Sequence, residues 1–127
     1  MPSRHLFIIR IALLTGVTAF AALVVYERSH GMATLGDGTR MLDTMRYALF
    51  GLAGAALVAA FFLRSRTEAA APATRGMLTV IGWAFGEGVA LYGVVQHYLG
   101  APVSTLAVGL MTFVLVLILL PVPPDRT

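Results

Sequence analysis

Four apolar runs, at residues 6–26, 44–63, 77–99 and 103–120, constrain this chain more than any other feature. Each is close to the ~20 residues that a helix needs to cross a ~30 Å hydrocarbon layer. In lipid such runs are expected to be helical, because only a helix satisfies all of its backbone groups within the segment. The first run holds Arg10, the second Arg46 near its start, the third Glu87 at its middle, and the fourth no charge. Together they take up about two thirds of the 127 residues and leave no room for a soluble domain. The expectation is all-α: a four-helix transmembrane bundle forming one integral membrane domain over residues 1–127.

Composition points the same way. Hydrophobic residues make up 58% and charged residues 12%, and the mean hydropathy is +0.85. A soluble domain carries about 25% charged residues, and a small one has the most surface to cover. An ordinary soluble enzyme, a disordered tail and a nucleic-acid module are thereby excluded. The nine basic residues are all arginine, against six acidic ones. They stand singly or in pairs near the ends of the apolar runs, where they meet headgroups or snorkel to them. No basic stripe with interleaved aromatics marks a nucleic-acid surface. Cysteine is absent, which excludes disulfides, thiolate catalysis, c-type haem attachment and iron–sulfur ligation.

Between the runs, residues 27–43 carry Gly31, Gly36 and Gly38 and read as an irregular polar loop. Residues 64–76 read as a helical extension that ends near Pro72. Gly100-Ala101-Pro102 is a very tight turn, with glycine ending one helix and proline starting the next. The last two helices are therefore expected to form an antiparallel hairpin. Pro121, Pro123 and Pro124 stop the fourth. With four spans, Arg4, Arg64, Arg66, Arg75 and Arg126 share one side, while Arg28 and Arg40 lie on the other with Arg46 at its border. Positive charge marks the cytoplasmic side, so both termini are expected inside, in a multi-pass protein of the cell inner membrane. A signal peptide is the other reading of the first run, with Arg4-His5 as its n-region and Ala19-Phe20-Ala21 as a cleavage site. Cleavage would leave three spans. Arg10, and apolar residues continuing to Tyr26, favour a retained helix.

Glu87 lies ten residues into the third run, about 15 Å deep at 1.5 Å per residue. A charge at that depth costs about 2.5–3.5 kcal/mol on insertion scales. One reading is a proton-binding site or relay. The other is a neutral acid in an interhelical hydrogen bond, or an ion pair. Arg10, roughly 7 Å deep on the first helix by the same rise, is the candidate partner. Around the acid, Gly82, Gly86 and Ala90 form a small-residue ridge, and Ala84 and Gly88 a second; Gly51, Ala55 and Ala59 form one on the second helix. Such ridges let helices approach closely in lipid, against one another or against further copies.

The stretch Val80-Ile81-Gly82-Trp83-Ala84-Phe85-Gly86-Glu87-Gly88-Val89-Ala90-Leu91-Tyr92-Gly93-Val94-Val95 resembles the carboxylate-bearing helix of the c subunits of rotary ATP synthases. Glu87 matches the proton-carrying carboxylate of that family, and Tyr92-Gly93 the aliphatic-Tyr-Gly step after it. The preceding helix, with Gly51, Ala53, Gly54, Ala55, Ala56, Ala59 and Ala60, is similar to the family's glycine-rich inner helix. Arg64, Arg66 and Glu68 fall where the family has its polar loop, without its Arg-Gln-Pro pattern. The resemblance covers residues 44–99, a single hairpin flanked here by extra helices. It implies a proton-binding carboxylate. Gly88 and Val89 offer no hydroxyl for sodium, so the implied ion is a proton.

His5, His30 and His97 are too far apart for a metal-spacing motif, and no metal or cofactor is expected. Trp83, Tyr92 and Tyr98 read as packing or interface-belt residues. No serine nucleophile elbow, phosphate loop or paired carboxylates appear, and enzyme activity is not expected. Two functions are left. The first is an accessory or structural subunit, packing as a homo-oligomer or within a larger membrane complex. The second is a proton relay through Glu87, with Tyr92 and Gln96 extending a polar path outward.

Overall fold

The computed structural model describes residues 3–29 and 39–122. It contains four helices: α1 (Ser3–Ser29), α2 (Thr39–Ala69), α3 (Pro72–Tyr98) and α4 (Val103–Leu119). No strand occurs among the described residues. Three helices are long and apolar enough to cross a membrane, and α4 is a shorter apolar helix of 17 residues. At 1.5 Å per residue α4 rises about 25 Å. The expected loop with Gly31, Gly36 and Gly38, and the stops at Pro123 and Pro124, lie outside the described residues.

The helices run past the apolar segments that announced them. Apolarity marks what lipid covers, whereas a helix ends where its backbone is stopped. Beyond Leu63, α2 continues for more than a turn through Arg64, which pairs with Glu68 four residues on at 3.8 Å. The Thr67 hydroxyl donates to the Leu63 carbonyl. The stop is Pro72, which pushes Ala71 into extended backbone (φ −62°, ψ 152°) and itself opens α3. Arg75 reaches back to donate to the Thr67 and Ala70 carbonyls, both at 3.1 Å. It so satisfies acceptors that the end of α2 leaves free and complements the negative end of its dipole.

The α3–α4 turn forms as its residues dictate. Gly100 takes φ 120°, a conformation closed to residues with a Cβ. The Ala101 amide then donates to the Gln96 carbonyl at 2.9 Å and the Gly100 amide to His97 at 3.2 Å, the paired bonds of a glycine C-cap. The buried His97 ring meets the Ala101 carbonyl through Nδ1 at 2.9 Å. A carbonyl only accepts, so the proton of that bond is on Nδ1.

Helix α3 is the hub, touching α4, α2 and α1, while α2 also touches α4. Arg10 of α1 lies over Trp83, and Val24 clusters with Val94, so α1 runs parallel to α3. Met45 meets Gln96, and Leu120 meets Trp83, so α2 and α4 run the other way. The result is an up-down-up-down bundle with α1 outermost. The membrane-length window of α1 is 17% buried, against 44% for α3.

Small residues draw α3 and α4 together. A Cβ on Gly93 would sit 2.8 Å from the Thr105 carbonyl oxygen, and one on Gly109 would sit 3.1 Å from that of Val89. Gly86 lies against Phe113 and Val116, and Gly82 against Leu120. On α2 the interior stripe is Leu49, Ala53, Ala56 and Ala60. The expected ridge falls elsewhere: Gly51 and Ala55 are exposed and Ala59 is half-buried. In lipid, polarity does not select the inner face of an apolar helix; surface shape does. Phe7, Tyr26, Phe61, Phe62 and Ile118 are more than half exposed, as side chains solvated by hydrocarbon are.

Gly93→Ala is expected to destabilise the bundle by about 1–3 kcal/mol, since the facing atom is backbone and cannot yield. Gly88→Ala, where a Cβ meets nothing within 4 Å, is expected to be neutral or stabilising. Unfolding of detergent-solubilised protein by SDS titration measures both.

Candidate functional site

The seam between α1 and α3 holds the one carboxyl side chain placed in the apolar part of α3. Helical periodicity puts Trp83, Glu87, Val94 and Tyr98 in one stripe along α3. Arg10 covers the Trp83 end of that stripe, and Ala21 and Val24 cover the Val94 and Tyr98 end. Glu87 is thus on the face that α1 covers, and it is half-buried. Its level follows from its neighbours. Gly86 lies against Phe113 and Val116, and Ala90 against Gly109. The acid between them is level with the middle of α4.

Glu87 has no hydrogen bond or ion pair among the described residues. The ion pairs there are Arg46–Asp43 at 3.5 Å and Arg64–Glu68 at 3.8 Å, both near helix ends. The expected Arg10–Glu87 pair is not formed. The Arg10 guanidinium lies over the Trp83 ring, 5.8 Å from its centroid, one turn short of Glu87. The indole face attracts the cation and holds it nearer the arginine-rich end, where less of its hydration is lost.

Tyr92 does not continue a path from Glu87. Five residues apart, the two side chains leave α3 about 140° apart, and Tyr92 packs on the main core cluster. Gln96 is also turned away. It is fully buried, and its Nε2 donates to the Met45 carbonyl of α2 at 2.7 Å while Oε1 has no partner. Of the two small-residue ridges picked out on α3, Gly82, Gly86 and Ala90 are all buried, whereas Ala84 and Gly88 are exposed.

Trp83 does more than fill space. It is fully buried, and its Nε1–H donates to the Leu120 carbonyl at 2.7 Å. A buried indole needs an acceptor, and in an apolar bundle free carbonyls remain only at helix ends. The sequence reading of Trp83 as a packing or interface-belt residue did not include this bond, although the need of a buried indole for an acceptor was the available signal. His5 is exposed, His97 belongs to the α3–α4 turn, and His30 lies outside the described residues. Among the described residues no three His, Cys, Asp or Glu side chains come together as a metal site would require.

Chemically, the seam offers an uncompensated carboxyl in apolar surroundings, covered by a helix whose main contact is with α3. Such a group can take up or release a proton, or receive a cationic side chain. No protein family, curated protein or solved structure matches this chain.

Trp83→Phe keeps the ring but strands the Leu120 carbonyl. It is expected to lower stability by about 1–3 kcal/mol and to loosen the end of α4, read as faster amide hydrogen exchange at residues 117–120.

Proposed function

We propose that this chain is a multi-pass protein of the cell inner membrane with both termini on the cytoplasmic side. It serves there as an accessory or structural subunit that packs within a membrane assembly. The carrying observation is the outer face of α2. Around Gly51 and Gly54 nothing lies within 4 Å of a built Cβ, whereas Gly82, Gly86, Gly93 and Gly109 are all filled by neighbouring helices. The close helix contacts within the chain are made at glycines of α3 and α4; α2 carries two that face outward within four residues of each other, while Gly16 of α1 and Gly88 of α3 are single open positions. The up-down-up-down order supports the orientation, because it gathers Arg4, Arg64, Arg66 and Arg75 at one end.

A second reading is favoured by Glu87, which is unpaired on the face covered by α1. In it the chain binds or relays a proton through this carboxyl, as the resemblance to ATP synthase c subunits implies. Glu87→Gln separates the two. Altered proton-coupled behaviour with normal assembly supports the relay; unchanged behaviour supports the structural role.

Gly51→Leu with Gly54→Leu is expected to dissociate the assembly while leaving the single chain folded, because neither new side chain meets a neighbour within the chain. Native mass spectrometry of protein extracted from its own membrane in mild detergent reads this directly. Unchanged masses in the double variant would remove α2 as the contact face.

A further inference from the structure

An open groove of about 450 Å³ lies between α2 and α3 at the arginine-rich end of the bundle. Its inner half is formed by Phe62, Leu63 and Leu78, within the apolar segments of the two helices. Its outer half is formed by Arg66, Ala69 and Thr74, one to two turns further out. Along this seam the lining changes from hydrocarbon to polar over about 10 Å, from the helical rise between positions 62 and 69.

Three arginines lie at this end of the α2–α3 hairpin, and two are engaged. Arg64 pairs with Glu68, and Arg75 is spent on the carbonyls that end α2. Arg66 has no anionic partner among the described residues. Its guanidinium lies 5.0 Å from the centroid of the Phe62 ring, which holds it at the groove wall. The groove therefore combines an apolar floor with one uncompensated cation at its outer end.

We propose that this groove binds an anionic membrane phospholipid, its phosphate against Arg66 and the start of one acyl chain against Phe62, Leu63 and Leu78. The order of the lining matches the order of groups in a lipid leaflet, with the chain inward and the headgroup outward. Basic pockets between membrane helices on the cytoplasmic side bind anionic headgroups in this way. A free anion gains nothing from the apolar floor, and a zwitterionic lipid leaves the Arg66 charge without a net counter-charge. The inference rests on the membrane-spanning reading above.

The test is native mass spectrometry of the full chain in mild detergent, titrated with phosphatidylglycerol and phosphatidylcholine of identical acyl chains. One phosphatidylglycerol is expected to remain bound, at several-fold higher occupancy than phosphatidylcholine. Arg66→Gln is expected to lower that occupancy about five-fold, the effect of one basic residue at an anionic surface. Arg64→Gln should leave it within about two-fold, as expected for a charge already paired with Glu68. Ala69 is exposed, so Ala69→Phe fills the groove without disturbing the core and should reduce binding of both lipids. Equal retention of the two lipids overturns the proposal. So does an equal loss in the two arginine variants, which would mean general attraction to charge, or displacement of the lipid by inorganic phosphate. Extraction separates this from the earlier reading. A chain released from membranes by alkaline wash fails both, whereas one that needs detergent but shows no lipid preference fails only this inference.

Discussion

The near-contact of α3 and α4 backbones is the interaction on which the rest of the molecule depends. Gly93 and Gly109 let the two chains approach until a single Cβ would meet a carbonyl oxygen of the other helix. Lipid supplies no hydrophobic drive for helices to associate, so contact area and shape must do so. The tight turn at Gly100 sets the register of this pair, and Trp83 fastens its far end by donating to Leu120. Helix α2 then packs against both α3 and α4 through Leu49, Ala53, Ala56 and Ala60, and α1 leans on α3.

Much of this architecture was legible in the sequence, for identifiable reasons. Four runs of membrane length announced four helices, and Gly100-Ala101-Pro102 announced their last turn because only glycine takes the required φ. Helix ends were less legible. Apolar residues stop at 63, whereas α2 stops at Ala69, because the limit is the proline at 72 and not the edge of the lipid. The inner face of α2 was not legible, since both of its stripes are small and apolar. The site was legible in part. Glu87 stood out as the costly residue, but depth alone could not say that Arg10 would stop over Trp83. The turn between Glu87 and Tyr92 was available from helical periodicity and already separates them.

The asymmetry between α1 and the other helices shapes what the molecule can do. Three helices form a body closed by glycine and alanine contacts, while α1 covers a stripe that contains an unpaired acid. A structural subunit needs the outward glycines of α2; a proton carrier needs the cover over Glu87. The two roles draw on different helices, the outer face of α2 and the α1-covered face of α3, so they can be varied separately.

Both roles presuppose that the bundle crosses the membrane four times with its arginine-rich end in the cytoplasm. The chain has no cysteine, so single exposed serines can be replaced and probed with a membrane-impermeant thiol reagent on intact cells. Ser104→Cys, at the start of α4, is expected to react from outside. Ser65→Cys, in the arginine-rich extension of α2, is expected to react only after the membrane is opened. The reverse pattern would contradict the orientation, and labelling of both sites from the same side would contradict the four-span bundle itself.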